Sequence, residues 1–182
     1  MKRSKLLWLL IAWAVLLGMP SCKVEDEGEE GGAIIEGTKL VGWEATKGKI
    51  KIPDGVTIIG NNAFRRRGEI TRVVIPSSVL TIEEYAFYNC SSLSDVEFKG
   101  DGLKTIEMGA FTGCTSLTSI TVPDSVVSID VNAFSNCNNL TSVSATGEWE
   151  ILNLFSGDTT YVGKLTANAL RRGGLYSALR RK

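Results

Sequence analysis

Apolar side chains fall into columns that recur every 23 or 24 residues along this chain. The dipeptide Ala-Phe stands at 63–64, 86–87, 110–111 and 133–134. Segments 50–72, 73–95, 96–119 and 120–142 align on it. Each opens with an inward pair: Ile50/Ile52, Val73/Ile75, Val96/Phe98 and Ile120/Val122. Then come Val56, Val79, Val126 and, displaced by one, Leu103. Ile59, Ile82, Ile106 and Ile129 precede the Ala-Phe pairs, and Ile70, Leu93, Leu117 and Leu140 follow them. A single unit can bury these columns only against the next unit, so stacking drives the fold.

The pattern within a unit predicts its elements. Period-2 alternation before the proline column reads as a short strand. Pro53, Pro76 and Pro123 end it, because proline lacks the ladder donor. The third unit has Lys99 there and one extra residue, "KGDG" (99–102), a turn insertion outside the columns. From the isoleucine to Ala-Phe, apolar residues at i, i+4 and i+5 predict one helical turn on the outer side. The expected fold class is an α/β repeat solenoid.

The stretches "VLTIEEYAFYNCSSL", "LKTIEMGAFTGCTSLTSITVP" and "VVSIDVNAFSNCNNLTSV" resemble BspA-like leucine-rich repeats. The resemblance covers 38–145. It implies a right-handed leucine-rich-repeat superhelix, with a short parallel sheet on one face and short helical turns on the other. "GTKLVGWEATKGKIKIP" (37–53) looks like that family's N-terminal cap. "TKLVGW" and "GKIKIP" are expected to pair as a hairpin, with Trp43 over the end of the core.

The ends have other compositions. Lys2, Arg3 and Lys5 precede the apolar run 6–18, which is short for a membrane span and suits a signal peptide over 1–21. "MPSC" (19–22) resembles a bacterial lipobox, which implies cleavage before Cys22 and lipidation of its thiol. Residues 22–37 contain "KVEDEGEEGG" (23–32), acidic and glycine-rich, and read as a flexible tether. An acidic run after such a cysteine also resembles the signal that carries some lipoproteins to the outer face of the outer membrane. The whole chain balances 20 cations with 20 anions; without the leader its net charge is −3. That argues against nucleic acid as a partner.

Residues 146–182 lose the period and form a divergent basic C-terminal cap or tail. Lys164, Arg171, Arg172, Arg180, Arg181 and Lys182 meet no acid after Asp158. The end reads as two short basic helices broken at Gly173-Gly174, either a solvated or capping tail or a contact for anionic lipid.

Candidate chemistry is sparse. The chain has no histidine, so Ser–His and Cys–His catalysis are excluded. Cys90, Cys114 and Cys137 form a repeat column in which the first unit has Arg67. They read as inert buried thiols, with an inter-repeat disulfide or a metal site as alternatives. No cofactor is implied and no enzyme is expected. The alternation turns Lys51, Arg72, Val74, Asp95, Glu97, Ser119, Thr121, Ser142 and Ser144 outward on the strand face. This is the expected partner-binding surface of a lipid-anchored, surface-exposed scaffold. The family resemblance implies adhesion to host matrix or serum proteins, or to other bacteria. Two rivals stand beside that reading: an accessory glycan-binding lipoprotein, which would need aromatic platforms on the strand face, and a truncated repeat protein without independent function.

Overall fold

The computed structural model describes residues 32–44, 48–130, 132–153, 159–163, 165–172 and 177–181. The leader 1–21, Cys22, most of the expected tether and Gly173-Gly174 lie outside the described residues.

The repeats build a β-solenoid with parallel strands on two sides. On one side lie β3 (Gly48–Lys51), β5 (Ile70–Ile75) and β7 (Asp95–Phe98), paired in parallel, followed by the parallel pair β9 (Ser119–Thr121) and β11 (Ser142–Ser144). On the second side, two-residue strands stack in register: β4 (Ile58–Ile59), β6 (Thr81–Ile82), β8 (Thr105–Ile106) and β10 (Ser128–Ile129). The ladder on the first side is interrupted between β7 and β9. That break follows the extra residue of the third unit. There the backbone turns so closely that a Cβ on Gly102 would stand 1.7 Å from the Ser77 carbonyl oxygen.

Among the described residues the expected helical turns are absent from the third side, which is a stack of turns. Two residues in each turn are left-handed: Asn62 and Arg66, Tyr85 and Asn89, Gly109 and Gly113, Asn132 and Asn136. An α-helix tolerates no such residues. Successive turn amides therefore alternate their targets. Ala63, Arg65 and Arg67 donate within the turn to Gly60, Asn62 and Phe64, while Asn62, Phe64 and Arg66 donate to Glu84, Ala86 and Tyr88 of the next unit. The i, i+4, i+5 spacing is met by this turn because both conformations return the same side chains inward.

Beneath the turns the repeat phenylalanines stack. Ring centroids of Phe64, Phe87, Phe111 and Phe134 are 4.9, 5.0 and 5.1 Å apart with planes within 8° of parallel. All four are fully buried, as are Ile59, Ile82, Ile106 and Leu93, Leu117, Leu140. The column residues form one continuous core.

Both ends are closed by added strands. β1 (Ala33–Glu36) pairs antiparallel with β2 (Lys39–Trp43), and β2 pairs in parallel with β4. The expected β2–β3 hairpin is not formed: β3 continues the other side of the solenoid by pairing with β5. Residues 33–36, grouped with the tether by composition, belong to the folded cap. Trp43 is buried and tilts against Phe64 at 5.7 Å.

At the other end β12 (Trp149–Asn153), β13 (Thr159–Gly163), α1 (Ala167–Arg172) and β14 (Ser177–Arg181) form the C-terminal cap. The expected second basic helix is strand β14, which pairs antiparallel with β10 and β12. Trp149, Leu165, Leu170 and Leu179 are buried. Two of the basic side chains are structural. Arg181 donates to the carbonyls of Val126 (3.0 Å) and Pro123 (3.2 Å) and lies 5.1 Å over the Trp149 ring. Arg171 donates to the Asn138 carbonyl at 3.2 Å. No described helix is long and apolar enough to cross a membrane.

Candidate partner-binding face

Strand register arranges the outward side chains in two rows. Lys49, Arg72 and Asp95 are partners across β3, β5 and β7, as are Lys51, Val74 and Glu97. Ser119 faces Ser142, and Thr121 faces Ser144, across β9 and β11. The nine expected residues are thus divided between two sheets. The four hydroxyl residues are exposed. Val74 is not: its outward side chain is only 8% exposed, because it sits between Lys51 and Glu97.

The N-terminal half is an ion-pair network centred on Arg72. Its Nε lies 3.2 Å from Asp95 Oδ2, and its Nη2 donates to Glu97 Oε2 at 2.6 Å. Lys99 Nζ approaches Glu97 Oε1 at 2.6 Å. Lys99, then Arg72, holds the Glu97 carboxyl below the usual carboxylate range. These charges border a cleft of about 540 Å³ lined by Lys49, Lys51, Arg72, Val74, Glu97 and Lys99. Beyond Arg72, at the β7–β9 break, lies a second hollow of about 480 Å³ with Asp95, Asp101, Thr121 and Asp124 in its walls. Lys49 and Lys99 were missing from the sequence-predicted face. Lys49 carried the signal, since it alternates with Ile50 as Lys51 does. Lys99 occupies the proline column, and nothing in the repeat pattern marked it.

The cysteine column is a buried ladder. The Sγ atoms of Cys90, Cys114 and Cys137 donate to the carbonyls of Phe64, Phe87 and Phe111 in the preceding unit, at 3.0, 3.3 and 3.1 Å. Arg67 makes the same backward contact with Trp43, at 2.6 Å. All three cysteines are free thiols. Burial pushes the Cys90 pKa up to about 12. Contact with Cys137, then burial, pushes Cys114 up as well. The same contact acts downward on Cys137, against its burial. Cys90 and Cys114, held protonated and without solvent access, are poor nucleophiles. Among the described residues no group of three or more cysteine or acidic side chains is placed to hold a metal ion.

Residues 45–156 match the model of the BspA type leucine rich repeat region, in six copies. The structure resembles a leucine-rich repeat protein from Bacteroides capillosus, with 28% identity and a TM-score of 0.50 over 64% of this chain and 99% of that one. It also resembles a leucine rich cell surface protein from Faecalibacterium prausnitzii, with 28% identity and a TM-score of 0.54 over 60% of this chain and 35% of that one. No curated protein matches the chain. The repeat columns, the stacked phenylalanines and the family match agree: this chain belongs to the BspA type leucine-rich repeat family.

Proposed function

We propose that the chain is a lipid-anchored scaffold on the cell surface, probing its surroundings for protein partners with the strand face. The observation that carries this reading is the pair of in-register outward rows, with Lys49, Lys51, Arg72, Glu97 and Lys99 bordering one cleft. Solenoids present such extended faces to partners, and complementary charge selects a partner and speeds its approach. The likeness to a protein described as a cell surface protein supports presentation outside the cell. The lipobox-like "MPSC" supports an anchor at Cys22, and the acidic segment after it supports the outer face of an outer membrane. The partner class is a matrix or serum protein of a host, or a surface protein of another bacterium.

Binding to an immobilised panel of matrix and serum proteins tests the face. The variant combines Lys51→Glu, Arg72→Glu, Asp95→Lys and Glu97→Lys, which keeps residue 72 opposite in charge to 95 and 97 while inverting the field. Loss of the captured partner by this variant is expected. Undiminished capture would remove the strand face from the interaction. Metabolic labelling with a fatty-acid analogue, compared with Cys22→Ala, tests the anchor.

A further inference from the structure

The turn side carries what the strand face lacks. Tyr85 and Tyr88 are half-buried there, with rings edge to face at 5.7 Å and 85°. The Arg65 guanidinium lies 5.2 Å over the Tyr88 ring and donates to Asn62 Oδ1 at 3.2 Å. The next unit supplies a floor. A Cβ on Gly109 would stand 2.5 Å from Tyr85 Cε1, and one on Gly113 would stand 2.0 Å from Asn89 Oδ1. Tyr85 and Asn89 therefore extend over a rung that has no side chain at either position.

Tyr85 is also out of place on backbone grounds. Its φ is +55°, and its column is otherwise filled by Asn62, Gly109 and Asn132. Asparagine and glycine accept the left-handed region; a bulky aromatic does not. A strained, solvent-accessible side chain of this kind points to a use for it.

We infer that Tyr85 and Tyr88, with Arg65 and the amide of Asn89, form a carbohydrate-binding ledge on the turn face. The C–H face of a sugar ring fits the electron-rich face of an aromatic ring. Sugar hydroxyls both donate and accept, and the Asn89 amide offers both functions side by side. The guanidinium adds donors on the same edge. A protein hot spot would be ringed by contacts that exclude water. Among the described residues, the exposed large hydrophobic ones are Ile34, Ile35, Leu80 and Val127, none of them in the turns that carry the tyrosines. The ledge is distinct from the strand face, so neither site depends on the other.

Affinity electrophoresis of the full chain in mild detergent tests the ledge, using gels cast with soluble neutral polysaccharides: a β-glucan, an α-glucan, a mannan and a xylan. At least one is expected to retard the protein. Tyr85→Asn and Tyr88→Ala should each weaken that association at least fivefold, and Tyr85→Phe should keep it within twofold. The four-residue strand-face reversal should leave it unchanged. Tyr85→Asn restores the residue type of its column, so its melting temperature should equal or exceed that of the native chain, and its binding loss cannot come from unfolding. Three results would overturn the assignment. They are no retardation by any of the polysaccharides, native-like retardation of both tyrosine variants, and a lower melting temperature for Tyr85→Asn, which would make the ring a structural cover. A protein ligand lost with Tyr85→Asn in the absence of polysaccharide binding would instead make the patch a protein hot spot.

Discussion

The strand face and the turn face are assembled from the same units, yet they divide the chemistry between them. On the strand face the backbone is extended, and outward positions carry charges and hydroxyls paired by register, such as Lys49, Arg72 and Asp95. On the turn face the backbone is left-handed twice per unit, and those positions hold asparagine, arginine or glycine except at Tyr85. Ladder pairing leaves the outward side chain almost free to vary, since only its neighbours across the strands constrain it. The turn dictates residue type through φ, so a residue that violates the turn's preference, as Tyr85 does, stands out. A surface with a strict backbone code makes its exceptions informative.

The largest test of this contrast lies under the turns. Phe111→Ala, between two stacked rings, should cost about 3–5 kcal/mol in denaturant unfolding. A loss below about 1 kcal/mol would mean that the turn side is not the packed side. Arg67→Ala takes the donor from the Trp43 carbonyl and loosens the N-terminal cap, at a cost of about 1–2 kcal/mol. On the backbone code itself, Arg66 has φ +62° in a column otherwise held by Asn89, Gly113 and Asn136. Arg66→Asn should therefore stabilise the fold by about 0.5–1 kcal/mol. The same exchange in an extended strand position, Arg72→Asn, should destabilise by breaking ion pairs.

The smallest effects are electrostatic and opposite in sign on the two sides. Glu97 on the strand face is held below its usual range by Lys99 and Arg72. Its contribution is present above the unfolded pKa and is lost as pH falls through the folded value. Glu107, at the start of a turn, is held above its range by burial and then by the Glu83 charge. Its contribution is present below the unfolded pKa and is lost as pH rises through the folded value. Glu97→Gln should reduce the loss of stability on acidification. Glu107→Gln should raise stability at neutral pH. Both groups meet water, so each change stays below about 1 kcal/mol. Melting curves between pH 3 and 8 check both, and slopes of the same sign would contradict the contrast.

Much of the core was legible in the sequence. Every column residue from Ile50 to Leu140 named by periodicity is buried except Phe98, which packs at the margin. The turns were misread because hydropathy records which side chains go inward and not the sign of φ. The asparagines and glycines at 62, 109, 132 and 89, 113, 136 held that information. The caps were hidden for another reason. β2 and β14 are specified by pairing with β4 and β10, and β1 by pairing with β2, rather than by a local pattern. The apolar spacing of Leu175 and Leu179 fitted a helix as easily. Of the partner-binding face, the outward rows were legible by alternation, whereas the burial of Val74 and the inclusion of Lys99 depended on neighbours across the strands.

The cysteine ladder has one more consequence. Its thiols all donate backward to the preceding unit, while the amides of Phe64, Phe87 and Phe111 all donate forward to the next. Every internal junction is therefore a two-way clasp with the same fittings. A duplicated unit would find its sockets already present on both sides, and a deleted one would leave matching ends behind. Length is thus a heritable variable that copying errors can change without redesigning the fold. Only the ends, where Arg67 meets Trp43 and Arg181 meets Trp149, must be kept as they are.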